Sequence, residues 1–153
     1  MRLLTEQTHT AEETEACGAA LARRMCADAS MPPFVALCGD LGAGKTAFVR
    51  GFVSVIAPHT RVRSPTFSLV NEYPASPRPV FHFDMYRITG EDDLASVGFD
   101  DYLTRPGICL VEWSENIPYA LPDAYVRVCI EKDRPGQPDS RRITIEQIGE
   151  ARL

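Results

Sequence analysis

No stretch of this chain approaches the roughly 20 consecutive apolar residues that a membrane-crossing helix needs. The opening Met1-Arg2-Leu3-Leu4-Thr5-Glu6 turns acidic where a secretory leader would stay apolar, so a cytoplasmic protein without membrane contact is expected. Basic excess is lacking too. Against 21 Asp and Glu stand 16 Lys and Arg, a formal charge of −5, which excludes a protein that coats nucleic acid unaided; any RNA link is expected to run through partners. The five cysteines (Cys17, Cys26, Cys38, Cys109, Cys129) are odd in number, far apart, and include no Cys-x-x-Cys pair. Three of them lie in apolar strand-like runs, so reduced thiols packed as small hydrophobes are expected, rather than a metal centre or a disulfide frame. Internal repeats and low-complexity tracts are absent, and 153 residues with 44% hydrophobic content suit one core and one domain spanning 1–153.

What the chain does have is Gly39-Asp40-Leu41-Gly42-Ala43-Gly44-Lys45-Thr46, a match to Gly-x-x-x-x-Gly-Lys-[Ser/Thr]. Before it stands the apolar run Phe34-Val35-Ala36-Leu37-Cys38, as a buried parallel strand requires. After it, Phe48, Val49, Phe52, Val53 and Ile56 recur at helical spacing. Strand, glycine-rich turn and helix together make a phosphate cradle. Glycines allow successive backbone N–H groups to turn inward, the helix contributes its positive end, and a polyphosphate supplies the matching negative charge. Nucleotide contacts are expected from Gly39 through Ala47, with the Lys45 ammonium on the β- and γ-phosphates and the Thr46 hydroxyl on Mg²⁺. The chain lacks an Asn-Lys-x-Asp segment to read guanine, which favours ATP/ADP over guanine nucleotides.

Around the cradle, Thr10-Ala11-Glu12-Glu13 has the form of a capping box opening a helix to about Cys26. Two alternating strands, 67–73 and 80–86, flank a proline-stiffened loop. A short helix over 91–97 ends at Gly98, and residues 100–103 continue irregularly. Ile108 to Glu112 reads as a second buried strand, 114–122 as a connector with one helical turn, and 125–132 and 142–148 as a terminal pair. The fold class that follows is α/β: a P-loop NTPase-like three-layer arrangement around a central mixed sheet, with parallel core strands and antiparallel hairpins at the edges.

Mg²⁺ needs hard oxygen ligands besides Thr46, the phosphates and water. Asp84, near the end of an alternating strand, and Glu112, at the C-terminal end of an apolar one, are the candidates. Spacing alone leaves Asp84 balanced between a ligand and a solvated edge-strand carboxylate, whereas Glu112 follows four apolar residues and needs a cation or hydrogen bonds to offset desolvation. Ser64-Pro65-Thr66-Phe67 is either a switch segment carrying a hydroxyl to the γ-phosphate or an ordinary proline turn. Trp113, the only tryptophan, either stacks on a base or rests against the sheet edge.

Four blocks, Gly39 to Thr46, Ser64-Pro65-Thr66-Phe67, His82-Phe83-Asp84-Met85-Tyr86-Arg87 and Val111-Glu112-Trp113-Ser114-Glu115, closely resemble in order and spacing the TsaE (YjeE) family. These are small bacterial ATPases of tRNA threonylcarbamoyladenosine synthesis. The resemblance runs from about Thr10 to the tail. It implies ATP and Mg²⁺ binding and slow hydrolysis dependent on the TsaD–TsaB pair, in which TsaD modifies adenosine 37 of tRNAs reading codons that begin with A. Contact with tRNA is then indirect. Position by position, the resemblance gives Lys45 to the phosphates, Thr46 and Asp84 to the metal, Thr66 to the switch, and Glu112 to the metal or its attacking water. The competing readings are a nucleotide-gated binding module with incidental hydrolysis, and, ranked below it, a small-molecule kinase, whose arginine lid Arg134, Arg141 and Arg142 would have to supply.

Overall fold

The computed structural model describes residues 1–40, 42–65, 69–76 and 78–149. Strands β1 (Arg2–Thr8), β2 (Phe34–Cys38), β3 (Val70–Tyr73), β4 (Val80–Asp84), β5 (Ile108–Glu112), β6 (Tyr125–Lys132) and β7 (Arg141–Ile148) form one sheet in the order β1-β7-β6-β2-β5-β4-β3. β2 is parallel to β5 and β6, and β4 is parallel to β5. The pairs β3–β4, β6–β7 and β1–β7 are antiparallel. The expected mixed sheet is therefore present, with β2 and the cradle after it at the centre.

Helices cover both faces, because the central strands are apolar on both. From β2, Val35 and Leu37 point to the face where α1 (Ala11–Ala27) and α2 (Lys45–Ile56) pack through Leu21, Met25, Phe48 and Phe52. Phe34 and Ala36 point to the other face and meet Phe81, Phe83, and Leu94 and Phe99 of α3 (Glu91–Val97) and α4 (Phe99–Thr104). Phe48 and Phe52 are fully buried, each worth about 1.5–3 kcal/mol relative to exposure. α1 crosses α2 backbone against backbone. A Cβ on Gly18 would lie 2.0 Å from the Phe48 carbonyl oxygen, and one on Gly51 would lie 1.8 Å from that of Glu15. The start of α1 is capped as expected: Thr10 Oγ1 accepts from the Glu13 amide at 3.0 Å, and the Glu13 carboxylate accepts from the His9 amide at 2.9 Å.

The structure departs from the sequence reading in four places. β1 was not foreseen; of its residues only Thr8 is buried, and it exists by pairing with β7 across the length of the chain. Residues 100–103 are helical, within α4, where Gly98 in the left-handed region separates it from α3 and buried Phe99 anchors it. β4 is an interior strand, so Asp84 does not sit on an edge. Cys38 and Cys129 are joined as a disulfide, contrary to the expected set of reduced thiols. They are register partners on adjacent parallel strands, 4.8 Å apart at Cα, which puts them within bonding reach although 91 residues separate them. Cys17 and Cys109 are buried free thiols, and Cys26 is an exposed one. No helix among the described residues is long and apolar enough to cross a membrane.

Candidate functional site

The C-terminal ends of β2, β5 and β4 lie side by side, and the chain leaves β2 into Gly39. This is the edge where open α/β sheets hold ligands. Gly39 has φ +141°, and a Cβ there would meet the Ile130 carbonyl oxygen at 2.3 Å; Gly44, at φ +106°, caps α2 without a side chain. Both conformations favour glycine and leave the first amides of the twelve-residue α2 turned toward the cleft.

A cleft of about 290 Å³ opens at this point, lined by Gly42, Ala43, Gly44, Lys45, Thr46, Ser64, Asp84, Glu112 and Trp113. The two acids arrive there by register, since Asp84 and Glu112 are direct partners across β4 and β5, on the sheet face that α2 covers. Asp40 bears on Lys45 electrostatically, and Ala47 is buried within α2 behind the cleft. Leu41 and Thr66 lie outside the described residues. Three larger hollows, one between α3 and the turn at Tyr119, one over the β2–β6–β7 face and one at the start of α3, are lined by none of the nine residues of this cleft.

Lys45 is almost fully buried, and burial pulls its pKa down, opposed by the carboxylates of Glu115, Glu112, Asp84 and Asp40 in that order. Its Nζ donates to the Gly39 carbonyl at 2.5 Å and sits 3.6 Å from the centroid of the Trp113 ring. Trp113 thus lines the site, against Lys45 and the half-exposed Tyr86 ring, while also packing against the core cluster of Phe81, Phe83 and Phe99. Its backbone is left-handed, φ +58°, an uncommon conformation for a bulky residue and one that clusters at functional positions. Desolvation raises the pKa of Asp84, and neighbouring Glu112 adds to that; the Tyr86 amide, His82 and Lys45 act the other way.

The donor set fits a hard divalent ion. Thr46 offers a hydroxyl, Asp84 and Glu112 offer adjacent carboxylates, and the burial that penalises Asp84 as a lone anion is what a bound cation would relieve. Among the described residues no cluster of three or more His, Cys, Asp or Glu is poised around a metal. Mg²⁺ does not require one, because it keeps several waters and draws on phosphate oxygens.

Three contributors escaped the sequence reading. Glu112 Oε2 is 2.6 Å from Nε2 of the fully buried His82. Arg141, at the start of β7, donates from Nε to the Ala43 carbonyl at 2.8 Å and from Nη2 to that of Gly42 at 3.1 Å, bracing the glycine loop from a strand 98 residues away. Glu115 accepts from the Gly39 amide at 3.3 Å. Only the spacing of His82 and Asp84, two apart and hence on one strand face, hinted at the first of these.

Comparison with known proteins gives the family. The family model for threonylcarbamoyl adenosine biosynthesis protein TsaE matches residues 8–143. The chain belongs to the TsaE family. The tRNA threonylcarbamoyladenosine biosynthesis protein TsaE of Bacillus subtilis is 38% identical over 97% of this chain and 89% of its own length. The protein of the same name from Haemophilus influenzae is 43% identical over 63% of this chain and 61% of its own. A crystal structure of YdiB from Bacillus subtilis superposes with a TM-score of 0.75 at 33% identity, covering 97% of this chain and 88% of that one. Family membership and the shared P-loop-type α/β fold therefore stand together.

Proposed function

We propose that this TsaE-family protein is a slow, partner-dependent ATPase that serves as an accessory subunit in forming threonylcarbamoyladenosine at adenosine 37 of tRNA, cycling a TsaD–TsaB complex. The observation that carries the reading is the meeting of Lys45, Thr46, Asp84 and Glu112 on one cleft at the end of β2. The loop amides and the α2 N-terminus bind and orient the phosphates, and Lys45 leaves the Trp113 face to neutralise the β- and γ-oxygens. Thr46 and Asp84 would hold Mg²⁺, which spreads the charge of the transferring phosphoryl group when bound. Glu112, whose other oxygen is engaged by His82, would hold that ion or the attacking water, with Thr66 as the second water-orienting group. Trp113 borders the nucleotide.

No arginine among the described residues lines the cleft, which agrees with a low intrinsic rate and with partners supplying the missing charge or the final alignment. The negative overall charge fits contact with tRNA through the complex. The test is phosphate release from ATP by the purified chain with and without TsaD and TsaB, with ATP against GTP in competition. Stimulation by the pair and preference for ATP are expected. Equal, partner-independent turnover, or transfer of label from ATP to a metabolite, would defeat the reading.

A further inference from the structure

Glu112 is the innermost end of a hydrogen-bonded line that runs through three neighbouring strands. Its Oε2 meets His82 Nε2 at 2.6 Å, His82 Nδ1 meets the Tyr73 hydroxyl at 3.1 Å, and that hydroxyl lies 3.1 Å from the Arg63 carbonyl oxygen while accepting from the Arg63 amide at 3.3 Å. Tyr73, His82 and Glu112 come from β3, β4 and β5 and face the same side of the sheet. Arg63 directly precedes Ser64, which lines the cleft. His82 is wholly buried and Tyr73 nearly so, which leaves neither able to touch a nucleotide.

The Tyr73 hydroxyl has a single hydrogen and three polar neighbours. If it donates to Arg63, a neutral His82 must spend its one N–H on Tyr73 through Nδ1 and has none for Glu112; if it donates to Nδ1, Nε2 carries the hydrogen to Glu112 and the Arg63 carbonyl keeps only the bond from Asn71. The bond that orients the His82 ring, and through it Glu112, therefore shares the Tyr73 hydroxyl with a bond to the cleft wall at Arg63, whose carbonyl also accepts from the Asn71 side-chain amide at 2.9 Å. A buried line of this kind holds a carboxylate in one rotamer, and orientation within a fraction of an ångström governs in-line attack.

We propose that Tyr73 and His82 are positioning residues for Glu112, tying its orientation to the placement of the Arg63–Ser64 wall. The proposal rests on the hydrolytic reading of Glu112 and names the groups through which anything that shifts that wall changes turnover.

The test is a double-mutant cycle on the full chain assayed with TsaD and TsaB. Tyr73→Phe is expected to lower kcat by about 10-fold or more, while KM for ATP and ATP affinity, followed by Trp113 fluorescence, stay within about threefold. In a Glu112→Ala background the same Tyr73→Phe change is expected to cost nothing further, within about twofold. His82→Gln, which keeps an amide directed at Glu112 but drops the bond to Tyr73, should show the same non-additivity. Turnover of Tyr73→Phe equal to wild type while Glu112→Ala is impaired overturns the positioning role and leaves the hydrolytic reading intact. Equal losses from Tyr73→Phe in both backgrounds mean a packing role and also overturn it. Wild-type turnover by Glu112→Ala removes the hydrolytic reading and this proposal with it.

Discussion

Replacing Lys45 with methionine should move binding and stability in opposite directions. Methionine has nearly the length of lysine without its charge or donors. The ammonium is buried within the fold, its pKa is lowered chiefly by desolvation, and the four nearby acids do not fully compensate. For a base whose folded pKa lies below its unfolded one, the protonated form opposes folding. Its contribution to stability improves only as pH climbs through the folded value. Lys45→Met removes that penalty together with one bond to the Gly39 carbonyl and the contact with Trp113, terms of about 1 kcal/mol each. The melting temperature of the nucleotide-free variant should therefore match or exceed that of the wild type. Binding should move the other way, because a charge-assisted bond to phosphate is worth about 1.5–3 kcal/mol, or about a 10- to 150-fold loss of ATP affinity. Thermal unfolding by circular dichroism, paired with ATP titration by calorimetry, measures both. Affinity unchanged in the variant would refute the phosphate cradle, and a clearly lower melting temperature would refute the electrostatic strain assigned to Lys45.

Gly51→Ala should lower the melting temperature by several degrees, since its Cβ would lie 1.8 Å from the Glu15 carbonyl oxygen and the overpacked helices must separate at a cost of about 3 kcal/mol; a melt indistinguishable from wild type would contradict the close α1–α2 crossing. With Ellman's reagent at pH 8 and no reductant, exposed Cys26 should react quickly, while Cys17 and Cys109, whose buried thiols are pushed up to about 12, should stay neutral and unreactive until the protein unfolds. Prior reduction should free Cys38 and Cys129, and rapid labelling of Cys109 in the native protein would argue against its burial. Arg141→Lys keeps the charge but not the fork that reaches two loop carbonyls, so ATP affinity should fall by about 3- to 10-fold with little change in melting; equal affinity would show that the brace is idle. Chelating divalent ions with EDTA should weaken ATP binding by at least about tenfold, measured by calorimetry, because Asp84 and Glu112 otherwise face the phosphates as bare anions.

How much of this was written locally in the chain follows from the reach of each interaction. β2 and β5 announce themselves as unbroken apolar runs because both of their faces are covered. The cradle announces itself because its dihedrals admit few residues besides glycine, and α1 carries its own cap in Thr10 and Glu13. Asp84 and Glu112 were legible as acids at strand ends, but their adjacency is a property of register, which needs β4 and β5 placed next to each other. What stayed hidden depends on partners far along the chain. β1 has little apolar signal and is defined by β7, Arg141 reaches the loop from 98 residues away, and the Cys38–Cys129 pair exists only once β6 docks beside β2. α4 was lost for the opposite reason: six residues following a glycine are too few to show a period.

The charge distribution resolves an apparent contradiction between an acidic protein and a polyanionic ligand. Asp40, Asp84, Glu112 and Glu115 all bear on one buried lysine, so the nucleotide-free site is negative on balance and would repel a bare triphosphate. The backbone amides of the glycine loop and of the first turn of α2 offset part of this without introducing another cation. The remainder falls on Asp84 and Glu112, side by side on adjacent strands, a geometry unfavourable for two anions and favourable for two ligands of one dication. His82 and the Tyr86 amide hold those carboxylates in place from behind, which keeps them from relaxing apart. On the proposed function, a site built in this way would select for the metal complex of a nucleotide over the nucleotide alone, and would do so through strand register rather than through any single residue.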